Sequence, residues 1–73
     1  MKNNSIEGDL ARIDILEFIE TFWDENGYAP SFREIGEACG LRSTSSVGYH
    51  LSTLRSMGKV EYMDNIARSV RTT

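Results

Sequence analysis

Residues 31–58 read SFREIGEACGLRSTSSVGYHLSTLRSMG, a segment with two helix starts and a glycine between them. Ser31 and Glu34 have the spacing of a capping box, in which each side chain accepts a hydrogen bond from the backbone amide of the other residue. Gly40 has the position of the left-handed residue that ends such a helix, and Ser43 has the position of the N-cap of the next one. The segment therefore predicts two helices joined by a tight turn.

Each helix of this pair has a predicted buried face. In the first helix, Ile35 and Ala38 are predicted to face inward because they are three residues apart. The second helix is predicted to continue to Met57 and to stop at Gly58, a residue type that tolerates the left-handed conformation. Its apolar side chains follow the i, i+3, i+4, i+7 pattern of a buried face, which consists of Val47, His50, Leu51 and Leu54.

The opposite face of the second helix is unusual for a surface in contact with water. It consists of Ser45, Ser46, Gly48, Tyr49, Ser52 and Arg55. This face holds no acid, one aromatic side chain and a glycine, which costs a helix about 1 kcal/mol relative to alanine. We therefore expect it to contact another molecule.

A further helix is predicted before the pair, because the apolar side chains of residues 10–24 share one broad arc. Asp9 is its predicted N-cap, and Asn26-Gly27 is its predicted stop. The preceding residues are largely polar and include a glycine. We therefore interpret residues 1–8 as a flexible arm and residues 9–71 as the folded domain.

A β-hairpin is predicted after the pair. Residues 60–63 alternate and are rich in β-forming types, Asp64-Asn65 is a turn signal, and residues 68–71 can return as a second strand. Three helices followed by such a hairpin make a mainly α fold with a small β-hairpin. This is the element order of a winged helix-turn-helix, with the hairpin as the wing.

Composition limits the classes of function. The 73 residues suffice for one small domain. The single cysteine, Cys39, excludes an internal disulfide or a zinc-thiolate cluster, and we interpret it as a small core residue rather than a reactive thiol. The sequence has no membrane-spanning apolar run and no signal peptide, so we expect a cytoplasmic protein. With one histidine and no catalytic or metal-ligand spacing, we expect no enzymatic activity, no cofactor and no metal.

The net charge of −3 argues at first against a nucleic-acid partner, because neutralising phosphates requires lysine and arginine. The charges are, however, unevenly distributed along the chain. Residues 1–37 carry nine acids and three bases, a net charge of −6, whereas residues 38–73 carry five bases and two acids, a net charge of +3. The second half, which contains the unusual helix face, is therefore basic.

In a winged helix-turn-helix, the second helix of the pair enters the major groove of DNA and the wing follows the phosphate backbone. We expect the bases to be read by Ser45, Ser46, Gly48 and Tyr49. The expected phosphate contacts are Ser31, Arg33, Arg42, Ser43, Thr44, Ser52, Arg55, Lys59, Arg68 and Arg71.

Some of these residues have a second interpretation. Serine-rich helix starts are often caps alone, and residues 43–46 are open to that interpretation. For His50, a place in the helix packing is favoured over a phosphate contact or a pH switch. Ile13 falls outside the apolar arc of the first helix, where incidental surface is favoured over a partner contact.

The segment GYAPSFREIGEACGLRSTSSVGYHLSTLRSMGKVE, residues 27–61, strongly resembles the N-terminal DNA-binding domain of the LexA family of bacterial SOS-response repressors. The resemblance is carried by Gly27-Tyr28, Pro30-Ser31, residues 33–38, Gly40-Leu41, residues 43–47, His50-Leu51, Leu54 and Gly58. It extends from about Leu10 to Val70, and the Arg68-Ser69-Val70 step is similar to the one that ends the wing in these repressors.

The resemblance implies a transcriptional repressor that binds double-stranded DNA at an inverted repeat in the bacterial cytosol or nucleoid. A homodimer on the palindrome, a single bound copy and a pair with another protein are all open interpretations, because the family's dimerisation domain is not part of these residues. Residues 44–47 are closest to repressors whose half-sites are GAAC and GTTC. The family also has a second domain with a Ser-Lys dyad, which cleaves the linker and supplies dimerisation. These 73 residues contain none of that domain, so we expect no self-cleavage.

The sequence also departs from the family pattern. Glu61 and Tyr62 stand where similar repressors commonly have basic residues. An acidic side chain near a phosphate is expected to weaken DNA binding. Gly48-Tyr49 differs from the usual residues of the reading helix, which implies a different preferred half-site. An alternative function is a protein-interaction module, of phage or mobile-element type, that binds a host repressor or another regulator through its acidic first helix.

Overall fold

The computed structural model of the chain describes residues 4–73. Three helices, α1 (Asn4–Asn26), α2 (Phe32–Cys39) and α3 (Thr44–Ser56), precede two strands, β1 (Val60–Glu61) and β2 (Arg71–Thr72). The strands are antiparallel, with Val60 opposite Thr72 and Glu61 opposite Arg71. β1 packs against α3, and β2 packs against α1. The predicted winged helix-turn-helix architecture is confirmed.

Helix α1 begins at Asn4, ahead of the N-cap that the sequence predicts. Gly8 lies inside the helix. A helix can tolerate a glycine, which costs it about 1 kcal/mol relative to alanine. Asp9 accepts a hydrogen bond of 2.8 Å from Arg12 instead of capping the first turn. The predicted helix start is therefore wrong. Residues 1–3 of the predicted flexible arm lie outside the described residues, and the domain boundary at residue 9 stays a prediction.

The hydrophobic core lies where the three helices meet the hairpin. Its fully buried members are Ile15, Ile19, Ala29, Ile35, Val47, Leu51, Leu54, Val60 and Val70. The predicted buried face of α3 is confirmed except for His50, which is half-buried. The His50 ring turns toward α1, where Nδ1 lies 3.4 Å from Nη1 of Arg12.

Helices α2 and α3 approach each other closely at Gly36. This glycine is buried, and a Cβ atom at its position would lie only 3.2 Å from Cγ2 of Val47. Ala38, which the sequence predicts to face inward, is exposed. The reason is that α2 contacts α3 along the side that carries Ile35 and Gly36, and a residue two positions after Gly36 points away from that contact.

The turn between the two helices follows the predicted chemistry. The Ser31–Glu34 capping box is present at the start of α2. Gly40 ends α2 with φ of 72°, and its amide donates to the carbonyl of Gly36. Ser43 caps α3, since its hydroxyl accepts a hydrogen bond of 3.2 Å from the Ser46 amide.

Replacing Ser43 with alanine is expected to lower the free energy of unfolding by about 1 kcal/mol, the usual value of an N-cap side chain. Thermal denaturation measures this change. Ser45→Ala is the matched control, because the exposed Ser45 hydroxyl makes no hydrogen bond to residues 8–73 and its loss should leave stability nearly unchanged. Equal effects of the two substitutions would contradict a capping role.

The wing has shorter strands than the sequence predicts, and its second strand begins later. Each strand has two residues, and the predicted second strand from residue 68 is wrong, because Arg68 adopts a positive φ of 56°. The intervening loop is held by Ser69, whose hydroxyl accepts from the Met63 amide at 2.9 Å and donates to the Ile66 carbonyl at 3.0 Å. The indole of Trp23 fixes the far end by donating to the Val70 carbonyl at 3.0 Å.

Candidate nucleic-acid interface

The outer face of α3 gathers the four residues that the sequence predicts to read bases. Ser45 and Tyr49 are exposed, and Ser46 and Gly48 are half-buried beside them. Tyr49 is 67% exposed, so its ring and hydroxyl extend away from the fold. The exposed Ser52 continues the same face by one turn. These side chains offer hydroxyl groups and one aromatic ring to whatever lies against the helix.

Gly48 is not required by the fold. A Cβ atom at this position would meet no atom within 4 Å, in contrast with Gly36. Its backbone also lies outside the positive-φ region that favours glycine. Neither packing nor conformation explains a residue that costs a helix about 1 kcal/mol relative to alanine.

The start of α3 forms one edge of a shallow groove with α2. The groove has a volume of about 250 Å³ and is lined by Phe32, Arg33, Gly36, Glu37, Leu41, Arg42, Ser43 and Thr44. Arg33 and Arg42 are exposed, and neither makes an ion pair with another side chain of residues 8–73. The unpaired amides at the N-terminus of α3 add a partial positive charge to the same edge. This edge is therefore suited to an anion.

Arg55 and Lys59 lie farther along, where α3 meets the wing. Arg55 pairs with Asp64 at 3.2 Å, donates to the Tyr62 carbonyl at 3.3 Å and places its guanidinium 4.0 Å from the centre of the Tyr62 ring. Its side chain remains 40% exposed. The side chain of Lys59 is exposed beside β1. Arg55 thus has both a role inside the protein and an accessible surface.

Arg68 and Ser31 are used inside the protein. The guanidinium of Arg68 donates to both carboxylate oxygens of Glu34, at 2.8 and 3.2 Å, and to the Ala29 carbonyl at 3.0 Å. The hydroxyl of Ser31 accepts from the Glu34 amide at 3.1 Å. Sequence reasoning missed the pair of Glu34 and Arg68, because residues so far apart along the chain meet only through the tertiary fold.

The hydrogen bonds from Arg68, followed by that from the Ser31 amide, hold the pKa of Glu34 below its ordinary value of 4.5. A lowered folded-state pKa means that this carboxylate stabilises the protein above about pH 4.5 and that the contribution is lost as the pH falls through the folded-state pKa. Thermal denaturation between pH 7 and pH 2 should therefore show a loss of stability in acid that is smaller in Glu34→Gln. An identical loss in both proteins would contradict this assignment.

Arg71 lies apart from the other predicted phosphate contacts. It is on β2, which packs against α1, and it borders a cleft with Glu20, Trp23 and Asp24. Two exposed acids of α1, Glu20 and Asp24, lie at this position, and further exposed acids, among them Asp14 and Glu17, lie elsewhere on the same helix. The charge asymmetry of the sequence thus corresponds to two sides of the molecule, an acidic α1 and an acid-free face of α3.

Two other groups have pKa shifts that follow from their surroundings. Burial, and secondarily the charge of Asp14, raises the pKa of the Cys39 thiol, so the thiol is less reactive than an exposed cysteine. Burial and the charge of Arg12 lower the pKa of His50. Within the described part of the chain, no cluster of His, Cys, Asp and Glu side chains is arranged to hold a metal ion, and no helix is long and apolar enough to span a membrane.

Comparison with known proteins gives one family and many similar repressors. The family model of the LexA DNA binding domain matches residues 9–69. A LexA repressor of Bifidobacterium longum (strain DJO10A) is 46% identical over 56 residues, which cover 77% of this chain and 23% of that protein. A LexA repressor of Roseiflexus sp. (strain RS-1) is 43% identical over 58 residues, 80% of this chain and 27% of that protein. A LexA repressor of Mycobacteroides abscessus is 50% identical over 56 residues, which cover 77% of this chain and 25% of that protein. This chain thus spans about a quarter of the length of these curated relatives.

Proposed function

Since this chain belongs to the LexA DNA-binding domain family, we propose that it binds double-stranded DNA sequence-specifically, as the operator-reading part of a transcriptional repressor. The observation that supports this proposal most strongly is the outer face of α3. It is free of acids, it presents an exposed tyrosine, and it contains a glycine that the fold does not require. Close contact with a flat or grooved surface explains all three features.

The N-terminal half of α3 lies in the major groove in this proposal. The hydroxyls of Ser45 and Ser46 donate to or accept from base edges, since serine can pair with either kind of group. Tyr49 contacts a thymine methyl with its ring or a base edge with its hydroxyl. Gly48 allows the helix backbone to approach the base pairs without a side chain in between.

Phosphates are held at the two ends of this face. Arg33, Arg42, Ser43 and Thr44 lie at the N-terminal edge of α3, and Ser52, Arg55 and Lys59 lie at the other end. Ser31 is left out of the proposed set because it caps α2, and Arg68 is left out because both of its terminal nitrogens are bound to Glu34, although its side chain is 43% exposed. Arg71 is left out because it lies beside α1.

Two copies occupy one operator in this proposal. A single domain with so few accessible basic side chains covers one half-site, and an inverted repeat has two half-sites. The half-sites GAAC and GTTC, which the family resemblance implies, are the first to test. The proposed place of action is the bacterial cytosol or nucleoid, where the operators lie.

Fluorescence anisotropy with a labelled GAAC/GTTC palindrome and a scrambled duplex tests the proposed function. We expect the palindrome to bind at least about tenfold more tightly, a difference of about 1.4 kcal/mol. Equal affinity for the two duplexes would contradict sequence-specific binding.

The salt dependence of the same titration tests the phosphate contacts. Arg42→Gln should reduce the slope of log K against log salt by about 0.9, the value for one lost phosphate contact on duplex DNA. Arg71→Gln removes the same charge beside α1 and should leave the slope nearly unchanged. The proposed phosphate edge is wrong if the two substitutions change the slope equally.

A second candidate function concerns the outer face of α1. Leu10 is 58% exposed and Ile13 is 50% exposed, and the exposed acids Glu17 and Glu20 follow along the same helix. An apolar and acidic surface of this kind suits a basic protein partner such as a host repressor. Native mass spectrometry with a full-length LexA-type repressor tests it: reversing the charges of Glu17 and Glu20 should abolish the complex, whereas Arg55→Gln should not.

A further inference from the structure

We propose that Glu34 and Arg68 form a latch that holds the wing in position against the helix-turn-helix pair, and that Arg68 is a positioning residue for DNA binding rather than a phosphate contact. This inference rests on the proposed function and deepens it. Glu34 lies on α2 and Arg68 lies in the loop of the wing, and in the proposed complex these two parts of the protein contact DNA at different places.

The guanidinium of Arg68, whose side chain is 43% exposed, makes three hydrogen bonds to other residues of the protein. Nη1 donates to Glu34 Oε1 at 2.8 Å and to the Ala29 carbonyl at 3.0 Å, and Nη2 donates to Glu34 Oε2 at 3.2 Å. The guanidinium also lies 5.2 Å from the centre of the Tyr28 ring. A planar fork bound on both carboxylate oxygens is fixed in direction as well as in place. Arg68 therefore has little freedom to turn toward a phosphate.

Glu34 connects this fork to the start of α2. Its Oε1 also accepts a hydrogen bond of 2.8 Å from the Ser31 amide, which is one half of the capping box. The same carboxylate thus caps the N-terminus of α2 and binds Arg68 of the wing. Any movement of the wing away from α2 breaks a charge-assisted pair.

The wing needs such a connection because its own strands are short. Only two residue pairs join β1 and β2. The loop between them is closed on itself by Ser69, through hydrogen bonds to Met63 and Ile66. Those bonds give the loop its shape, whereas the bonds of Arg68 connect the loop to α2.

The substitution Glu34→Gln distinguishes a latch from a phosphate contact, because the two roles of Arg68 predict changes of DNA affinity in opposite directions. Glutamine can still accept from the Ser31 amide in a capping box, but its NH2 group replaces Oε2 and faces the Nη2 donor of Arg68. If Arg68 bound phosphate, loss of the competing carboxylate would leave DNA binding equal or stronger. The latch instead predicts about tenfold weaker binding to the palindrome, roughly the effect of one lost hydrogen bond to a charged group.

Two further variants complete the test. Arg68→Lys keeps the positive charge but loses the planar fork, so we expect about tenfold weaker binding with an unchanged salt slope. Glu37→Gln removes a neighbouring acid of α2 that makes no ion pair with the side chains of residues 8–73, and its binding should be equal or tighter. All affinities are compared at a temperature where thermal denaturation shows each variant fully folded.

Hydrogen exchange of the free protein reports on the latch without DNA. The amides of Met63 and Ile66 should exchange faster in Glu34→Gln than in the wild type, whereas the amides of α3 should not change. Wild-type or tighter binding by Glu34→Gln, or a slope reduced by about 0.9 in Arg68→Gln as for a lost phosphate contact, overturns the inference. If the wild type does not prefer the palindrome, the proposed function fails, and unchanged exchange at Met63 and Ile66 then overturns the latch independently.

Discussion

Replacing Gly48 with leucine is expected to weaken binding to the palindrome by about a hundredfold or more, equivalent to about 2.7 kcal/mol, while the free protein becomes more stable. A Cβ atom at this position would meet no atom within 4 Å, and Gly48 lies on the outer face of α3, so we expect leucine to fit without an internal clash. Leucine is also a better helix former than glycine by about 0.5–1 kcal/mol. The side chain instead occupies the space through which α3 approaches the base pairs.

Thermal denaturation and DNA titration of the same preparation measure the two effects. Gly48→Ala is the intermediate variant, with a similar gain in stability and a smaller loss of affinity, because a methyl group displaces the helix less. Gly36→Ala is the contrasting control, since its Cβ atom would lie 3.2 Å from Val47 and stability should not rise in the same way. Wild-type affinity of Gly48→Leu would show that this face of α3 is not in the groove.

Leu51→Ala is expected to cost about 2–5 kcal/mol, because it leaves a cavity in the core of a domain whose total stability is of order 4–10 kcal/mol. Leu51 is fully buried in α3, between the helices and the wing. The variant should therefore denature at a lower temperature and a lower urea concentration than the wild type, and it should bind DNA only to the extent that it is folded.

Circular dichroism during thermal and urea denaturation measures this loss. Leu10→Ala is the matched control, because Leu10 is 58% exposed and its truncation should change stability by less than about 0.5 kcal/mol. A small loss for Leu51→Ala would mean that the core does not lie where these contacts place it.

The sequence predicts the helix-turn-helix pair well because its signals are local. A capping box, a left-handed glycine and a serine N-cap each act within one turn of helix, and the structure has all three. The lengths of the wing strands were predicted wrongly for the opposite reason, whereas the start of α1 was predicted wrongly because Gly8 and Asp9 lie inside the helix. The wing depends on Trp23 and Arg68, which contact residues distant along the chain, and on Ser69, which closes the wing loop through Met63 and Ile66.

The candidate interface was predictable in part. Periodicity alone places Ser45, Ser46, Gly48 and Tyr49 on one side of α3, and the structure confirms that placement. Counting charges could not show that Arg68 and Arg55 are paired with acids, or that Arg71 lies beside α1, since these facts depend on the tertiary fold. Their roles toward DNA, like those of all the residues of this interface, remain proposals.

Nuclear magnetic resonance of the isotope-labelled chain, titrated with the palindromic duplex, locates the bound DNA residue by residue. We predict that the backbone amides of Ser45, Ser46, Gly48 and Tyr49 shift in a way that the scrambled duplex does not reproduce, while the amides of the acidic face of α1 stay in place. Shifts confined to α1, or the same shifts with both duplexes, would contradict the assignment of α3 as the helix that reads the operator.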